Sequence, residues 1–327
     1  MLNYLVRRTL YGVLILIGVN LATFFLFFTV NTPDDMARLN IGGKRVTQEL
    51  IEKWKGERGY DKPLYWNEAK PASEKLTETI FWERSVSLFT LRFGRADSES
   101  AGDIGDEVTR RMWVSMQLAL PIFILQVIAS VSFALLLVMF RHTRLDLAGV
   151  VLCVVMLSIS ALFYIIVGQF LFARVLKLVP ISGYAGGLDA LRFLVLPVLL
   201  SVLARLGAEA RLYRAMFLEE IGKDYVRTAR AKGLSETVVM FRHVLRNAMI
   251  PIITSAGGYL PYVFMGSLVF ESFFGIPGLG AYVIEAIGKQ DFAIVRTMVF
   301  VGSLLYIASY ILIDVAYTWV DPRVRLA

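Results

Sequence analysis

Few residues in this chain have the type and spacing for bond-making chemistry. There are two histidines, His142 and His243, and one cysteine, Cys153. No pair among them has the spacing of a metal-ligand set. A lone thiol makes no internal disulfide, so cysteine usage is silent on redox compartment. Gly42-Gly43-Lys44-Arg45 superficially resembles a phosphate loop. It lacks the first Gly at the required distance, and Arg45 stands where Ser or Thr must follow the Lys. A membrane enzyme would need convergent Ser/His/Asp, paired carboxylates or metal ligands in its apolar runs, and the sequence shows none. The densest chemistry is cationic: nine Lys and Arg lie between Arg205 and Arg246.

That cationic segment, residues 207–248, reads as three helical pieces. The first runs to about Ile221 with Gly222 as its stop. The second is Tyr225–Lys232, capped by Asp224 and stopped by Gly233. Ser235 caps a third. Gly tolerates the left-handed conformation past a helix end, and Asp or Ser oxygens accept from free N–H groups at a helix start. Tyr225, Thr228, Ala229 and Lys232 fall on one face of the middle piece. A small-residue helix flanked by cations suits a groove on another protein. It equally suits a basic, orientation-setting loop folded on its own membrane domain, and spacing alone leaves both open.

The elements around this loop are apolar. Hydrophobic residues make up 57% of the 327 positions, above the roughly 45–50% of a soluble domain. Six stretches have the length of a membrane-crossing helix: about 9–30, 113–140, 147–172, 188–206, 249–271 and 293–320. The first follows Arg7-Arg8 and is too long for a signal-peptide core, with no cleavage site after it. The short segments predicted inside carry 15 Lys and Arg and those predicted outside carry 5, which places both termini in the cytoplasm. The net charge of +7 lies beside the apolar runs and forms no concentrated nucleic-acid-binding face. The expected organisation is an N-terminal span over 1–30, an extracytoplasmic subdomain over 31–112, and a core of five spans over 113–327. Ile104, Val108 and Met112 form a stripe suited to a helix on the membrane surface.

The strings Y-V-R-T-A-R-A-K-G-L-S (225–235) and R-H-V-L-R-N-A-M-I-P (242–251) resemble the signature loop of permeases from ATP-binding-cassette importers, in particular the dipeptide/oligopeptide branch. The family's Glu-Ala-Ala place reads Arg227-Thr228-Ala229 here, followed by Gly233. Further likenesses are L-V-R-R-T-L at the N-terminus, G-Y-D-K-P-L (59–64), R-F-G-R (92–95), E-V-T-R-R-M-W-V-S (107–115), E-S-F-F-G-I-P-G-L-G (271–280) and Asp321-Pro322-Arg323. The stretch 65–91 matches poorly.

The resemblance implies an all-α polytopic protein of six transmembrane helices, of the type I importer permease kind, in a bacterial plasma (inner) membrane. It implies a second homologous permease, forming a heterodimer, two ATPase subunits that hold ATP and Mg, and an external substrate-binding protein. No Walker motif occurs in this chain, so catalysis and cofactors are expected only in the partners. The coupling helix would be Tyr225, Arg227, Thr228, Ala229, Arg230, Ala231, Lys232, Gly233 and Leu234, with Thr228, Ala229 and Gly233 in the ATPase groove. Arg227, Arg230 and Lys232 would pair with ATPase carboxylates or face lipid headgroups.

Span five supplies the candidate pathway lining: Ser255, Gly258, Tyr259, Tyr262 and Gly266, beside Gly257, Pro261 and Ser267. Small residues permit close helix approach, and broken helices are tolerated where they line cavities. Glu271, Pro277 and Gly278 are candidates for an outer gate or for the binding-protein surface, or for a simple turn. Asp314 is an ionisable group at membrane depth, with Tyr317 and Trp319 as interfacial anchors. A secondary transporter would need intramembrane ion-coupling groups or an internal repeat; no repeat is visible, and apart from Asp314 the span interiors are nearly free of acids. The branch carries dipeptides, oligopeptides and some small conjugates, and peptides are the expected substrate.

Overall fold

The computed structural model describes residues 2–42, 46–98 and 102–320. Gly43, Lys44 and Arg45, the Asp321-Pro322-Arg323 string and Arg325 lie outside the described residues, as do the side chains of Tyr317 and Trp319.

In chain order the helices are α1 (Leu2–Val30), α2 (Pro33–Ile41), α3 (Gln48–Arg58), α4 (Ile80–Arg84), α5 (Ile104–Met139), α6 (Arg144–Ser158), α7 (Ala161–Gly168) and α8 (Ala190–Ile221). There follow α9 (Asp224–Ala231), α10 (Glu236–Val238), α11 (Leu245–Gly257), α12 (Leu260–Met265), α13 (Leu268–Phe274), α14 (Leu279–Gly288) and α15 (Phe292–Val320). Among the described residues the only strand-like pairing is an isolated bridge between Arg95 and Asp103.

Four helices, α1, α5, α8 and α15, are long and apolar enough to cross a bilayer, and two bent pairs bring the number to six if each pair is one span. One pair, Arg144–Ser158 with Ala161–Val175, turns through 91°. This corrects the expectation of one straight span over 147–172. The break sits at Ile159-Ser160, where Ser160 adopts an extended conformation and its Oγ accepts from the Phe163 N–H at 3.3 Å. A serine satisfies a free helix-start donor that the surrounding aliphatic residues cannot. The other pair, Glu236–Gly257 with Leu260–Phe274, bends by 44° where Gly257, Gly258 and Pro261 fall.

A second correction concerns residues 104–112. They form no separate surface helix; they are the first turns of α5, which runs unbroken for 36 residues. Ile104 and Val108 are buried in an apolar cluster with Leu279, Tyr282 and Ala293.

The chain divides into two compact units. One comprises the chain up to Trp113 together with Gly278–Ile311. In it Phe24 and Phe28 of α1 pack with Met36, Ile51, Trp54, Tyr60 and Ile80. Thr32 and Asp35 close a capping box at the start of α2. Backbone pairs Ile80 N to Pro63 O and Phe81 N to Leu64 O, at 3.1 and 3.0 Å, close the excursion over 65–79. Two buried acids organise the start of α15. Asp97 accepts from the Tyr60 hydroxyl at 3.0 Å and from the Ala293 N–H at 3.0 Å. Asp291 accepts from the N–H groups of Ser98 and Ile294 at 2.8 and 3.1 Å. Carboxylates at a helix N-terminus satisfy its free donors and its dipole. Burial nevertheless pushes the Asp97 carboxyl above the ordinary range, against the opposing pull of Arg84.

The other unit comprises Val114–Pro277 with the chain from Leu312. In it α6 packs against α8, and a glycine makes the approach possible. A Cβ on Gly207 of α8 would lie 2.5 Å from the Cys153 carbonyl oxygen, and where α6 meets α5 one on Gly149 would lie 2.1 Å from a Leu137 methyl. The Arg214 guanidinium clamps Asp146 across the α6–α8 pair with two bonds of 2.9 and 2.8 Å. Small residues and paired polar groups are what hold helices together where lipid removes the hydrophobic drive.

Candidate functional site

Two features of the second unit have the form of functional sites: the loop around α9 and a cavity lined by α5, α8, α12 and α13. In the loop, α8 continues to Ile221 and stops at Gly222 as expected, but without the left-handed conformation. Gly222 has φ −72°, and the turn is closed by Gly222 N to Glu219 O and Lys223 N to Glu220 O, both 3.2 Å. Asp224 is the first residue of α9 and does not cap it; Lys223 holds the cap place and offers no side-chain oxygen. Gly233 has φ +76°, the left-handed stop that its residue type suggests. Ser235 takes the cap position before α10 without a side-chain bond.

The corner is instead held through side chains, by the buried Glu220 carboxylate. It accepts from both Lys223 Nζ and the Tyr225 hydroxyl and so pins the corner between α8 and α9. Burial and this hydrogen bond push the Tyr225 phenol up to about 12, so it stays a donor at physiological pH.

The faces of α9 are shifted from the expected stripe. Val226 and Ala229 are buried, with Ala229 only 4% exposed, in a cluster with Tyr213, Phe217, Val239, Met240 and Val244. Tyr225 packs against the same cluster, and Arg230 is half-buried and pairs with Glu236 at 2.7 Å. The outward residues are Asp224, Arg227, Thr228 and Ala231, followed by Lys232, Gly233 and Leu234. Ala229 therefore anchors α9 to its own unit, and its neighbours Thr228 and Ala231 carry the open face.

The cavity has a volume of about 470 Å³. Three of the five candidate pathway residues, Tyr259, Tyr262 and Gly266, line it; Ser255 and Gly258 are half-buried in the same helical run but are not among its lining. Its polar groups come mostly from residues that the sequence did not single out: Gln126, Ser201, Arg205 and Glu209. Arg205 lies over the Tyr259 ring at 4.1 Å, and its Nε is 3.9 Å from Glu209 Oε1. Gln126 donates to Ser130 Oγ at 2.9 Å, and Ser130 donates to Glu209 Oε2 at 3.4 Å. Glu209 was obscured because span four was drawn to end at 206. The signal was present: no proline and no stopping glycine separates Arg205 from Ile221, so the acid must sit inside one helix.

The candidate gate resolves into helix ends. Glu271 is fully buried, and its Oε1 accepts from the Ser267 N–H at 3.2 Å at the start of α13. Gly266, with φ +72°, leaves room for it: a Cβ there would lie 1.9 Å from that same oxygen. Pro277 is exposed, and Gly278 caps α14. Asp314 is buried within α15.

Residues 105–326 match the family described as the inner membrane component of binding-protein-dependent transport systems. The chain belongs to that family. Residues 1–79 match its N-terminal companion. This transport component is 30% identical over 326 residues, 98% of either chain, to a putative peptide transport system permease protein of Brucella abortus. It is 30% identical over 328 residues, 99% of either chain, to a glutathione transport system permease protein of Shigella flexneri. The corresponding protein of Escherichia coli K12 is 29% identical over 325 residues. The helical, multi-span architecture is that of a type I importer permease in the inner membrane, and both the cavity and the α9 loop lie within the matched region.

Proposed function

We propose that this permease forms half of a path for di- or oligopeptides, driven by ATP hydrolysis in partner subunits. Relatives named for peptide and glutathione transport, glutathione being itself a tripeptide, support the substrate class. The observation that carries the reading is the pairing, within one unit, of a cavity lined by apolar helices with an outward-facing short helix rooted in that unit's core. The face of Arg227, Thr228, Ala231 and Lys232 is the surface on which one of two ATPases docks. ATP and Mg belong to those subunits, and this chain supplies no catalytic group. A second, non-identical permease completes the path, an external binding protein delivers the peptide, and both termini are cytoplasmic, in keeping with the charge bias. ATP acts by ordinary linkage: it favours one orientation of the spans through its differential affinity for the two.

The test is uptake of a radiolabelled tripeptide into proteoliposomes containing both permeases, the ATPases and the binding protein. Accumulation that requires ATP and the binding protein is expected. Accumulation without ATP, or transport of other solutes to the exclusion of peptides, refutes the reading.

A further inference from the structure

The cavity holds polar atoms that the protein itself leaves unanswered. Glu209 is 5% exposed, Gln126 4% and Ser201 4%. Glu209 Oε1, Gln126 Oε1 and Ser201 Oγ each lack a hydrogen-bond partner. All three residues line the cavity, whose other walls are apolar or aromatic apart from Arg205 and Ser267. An unmade bond on a buried polar group costs roughly 1–3 kcal/mol, and more on a charged one. Such groups recur where a ligand makes the bond instead. Arg205 does not fill this role: at 3.9 Å its Nε is beyond hydrogen-bond reach of Oε1.

We propose that Glu209 and Gln126 form a recognition subsite for the N-terminal ammonium group of a peptide. The two free atoms are both carbonyl-type acceptors, and Glu209 is the one acid lining the cavity. An ammonium group is the complement: three donors, one positive charge and no acceptor. Tyr262 adds a ring face that favours a cation, while the Tyr259 ring already carries Arg205. A peptide with a free N-terminus matches this lining, and an N-blocked peptide leaves Oε1 unanswered. The subsite rests on the proposed peptide path but is tested separately from it.

The permease complex, in lipid nanodiscs without the binding protein, is titrated with radiolabelled trialanine. Unlabelled trialanine, trialanine amide and N-acetyl-trialanine compete. Trialanine and its amide are expected to displace the label, with N-acetyl-trialanine weaker by roughly tenfold or more, as the loss of a charge-assisted hydrogen bond predicts. Glu209→Gln should weaken trialanine binding by a similar factor and abolish the discrimination. Should that variant fail to assemble, the competitor series on the unaltered protein decides. Equal competition by the acetylated peptide, unchanged affinity in Glu209→Gln, or no trialanine binding overturns the subsite. ATP-driven peptide uptake that persists alongside any of these results leaves the proposed function standing and the subsite refuted.

Discussion

Two alanines two residues apart on α9 separate the anchored face from the proposed docking face. Ala229 is 4% exposed and touches the cluster built on Phe217, Val226 and Met240. Ala229→Glu drives a carboxylate into that cluster with no cation built to receive it. The effective penalty for a buried unpaired charge is several kcal/mol, against a total stability of about 5–15 kcal/mol for a typical domain. Ala231 is exposed, and a surface substitution is ordinarily within about 0.5 kcal/mol of neutral. Ala231→Glu should therefore leave the permease folded while adding bulk and negative charge to the docking face. The assay has two readouts on purified protein: thermal unfolding in detergent, and ATPase subunits retained on an affinity-tagged permease. Ala229→Glu should unfold many degrees lower or fail to accumulate. Ala231→Glu should melt like the parent but lose its ATPases and its transport. Parent-like melting of Ala229→Glu would refute the assigned faces. Full ATPase retention and transport by Ala231→Glu would refute the docking surface.

Other substitutions probe the packing that holds these sites. Gly207→Ala gains about 1 kcal/mol of helix propensity but sets a Cβ 2.5 Å from the Cys153 carbonyl oxygen. Overpacking of that kind costs about 1–3 kcal/mol, so a net loss in melting temperature is expected, whereas Gly18→Ala, with nothing within 4 Å of its Cβ, should not lose stability. Gly266→Ala combines φ +72° with a 1.9 Å clash on Glu271 and should lower both folded yield and uptake. Asp97 gives a pH signature. Because burial raises its pKa in the folded state, the associated stability is fully present below about pH 4 and is lost as pH rises through the raised value. Asp97→Asn should flatten that decline in a melting-temperature series from about pH 4 to 8, even if its absolute stability is lower.

The spans were legible because lipid imposes a simple rule on composition, and the α9 loop because glycine and charge punctuate it. What stayed hidden depended on side-chain direction or on partners distant in sequence. Ala229 and Ala231 are the same residue type, and only packing against Phe217 and Met240 tells them apart. The break at Ser160 lies within an apolar run whose hydropathy barely changes, and one hydroxyl bonded to Phe163 N decides it. Glu271 sits in a family landmark, and no sequence pattern shows that its carboxylate reaches back to the Ser267 N–H at the start of its own helix. The subsite residues Gln126 and Glu209 come from α5 and α8, 83 positions apart, and no spacing rule connects them.

The uninterrupted end of α8 has a mechanical consequence. Glu209 and Glu220 are 11 residues apart with neither glycine nor proline from one to the other. That is close to three whole turns and about 16 Å, so the two carboxylates lie on nearly the same stripe of one stiff rod. One acid lines the cavity and the other pins the α9 corner. In the proposed coupling, a push that tilts the corner would reach the cavity wall as rotation and translation, with no glycine or proline between the two acids to absorb it. One residue inserted between Arg214 and Phe217 would turn one end relative to the other by about 100° and put the two acids out of phase, uncoupling the stroke while leaving each end chemically intact.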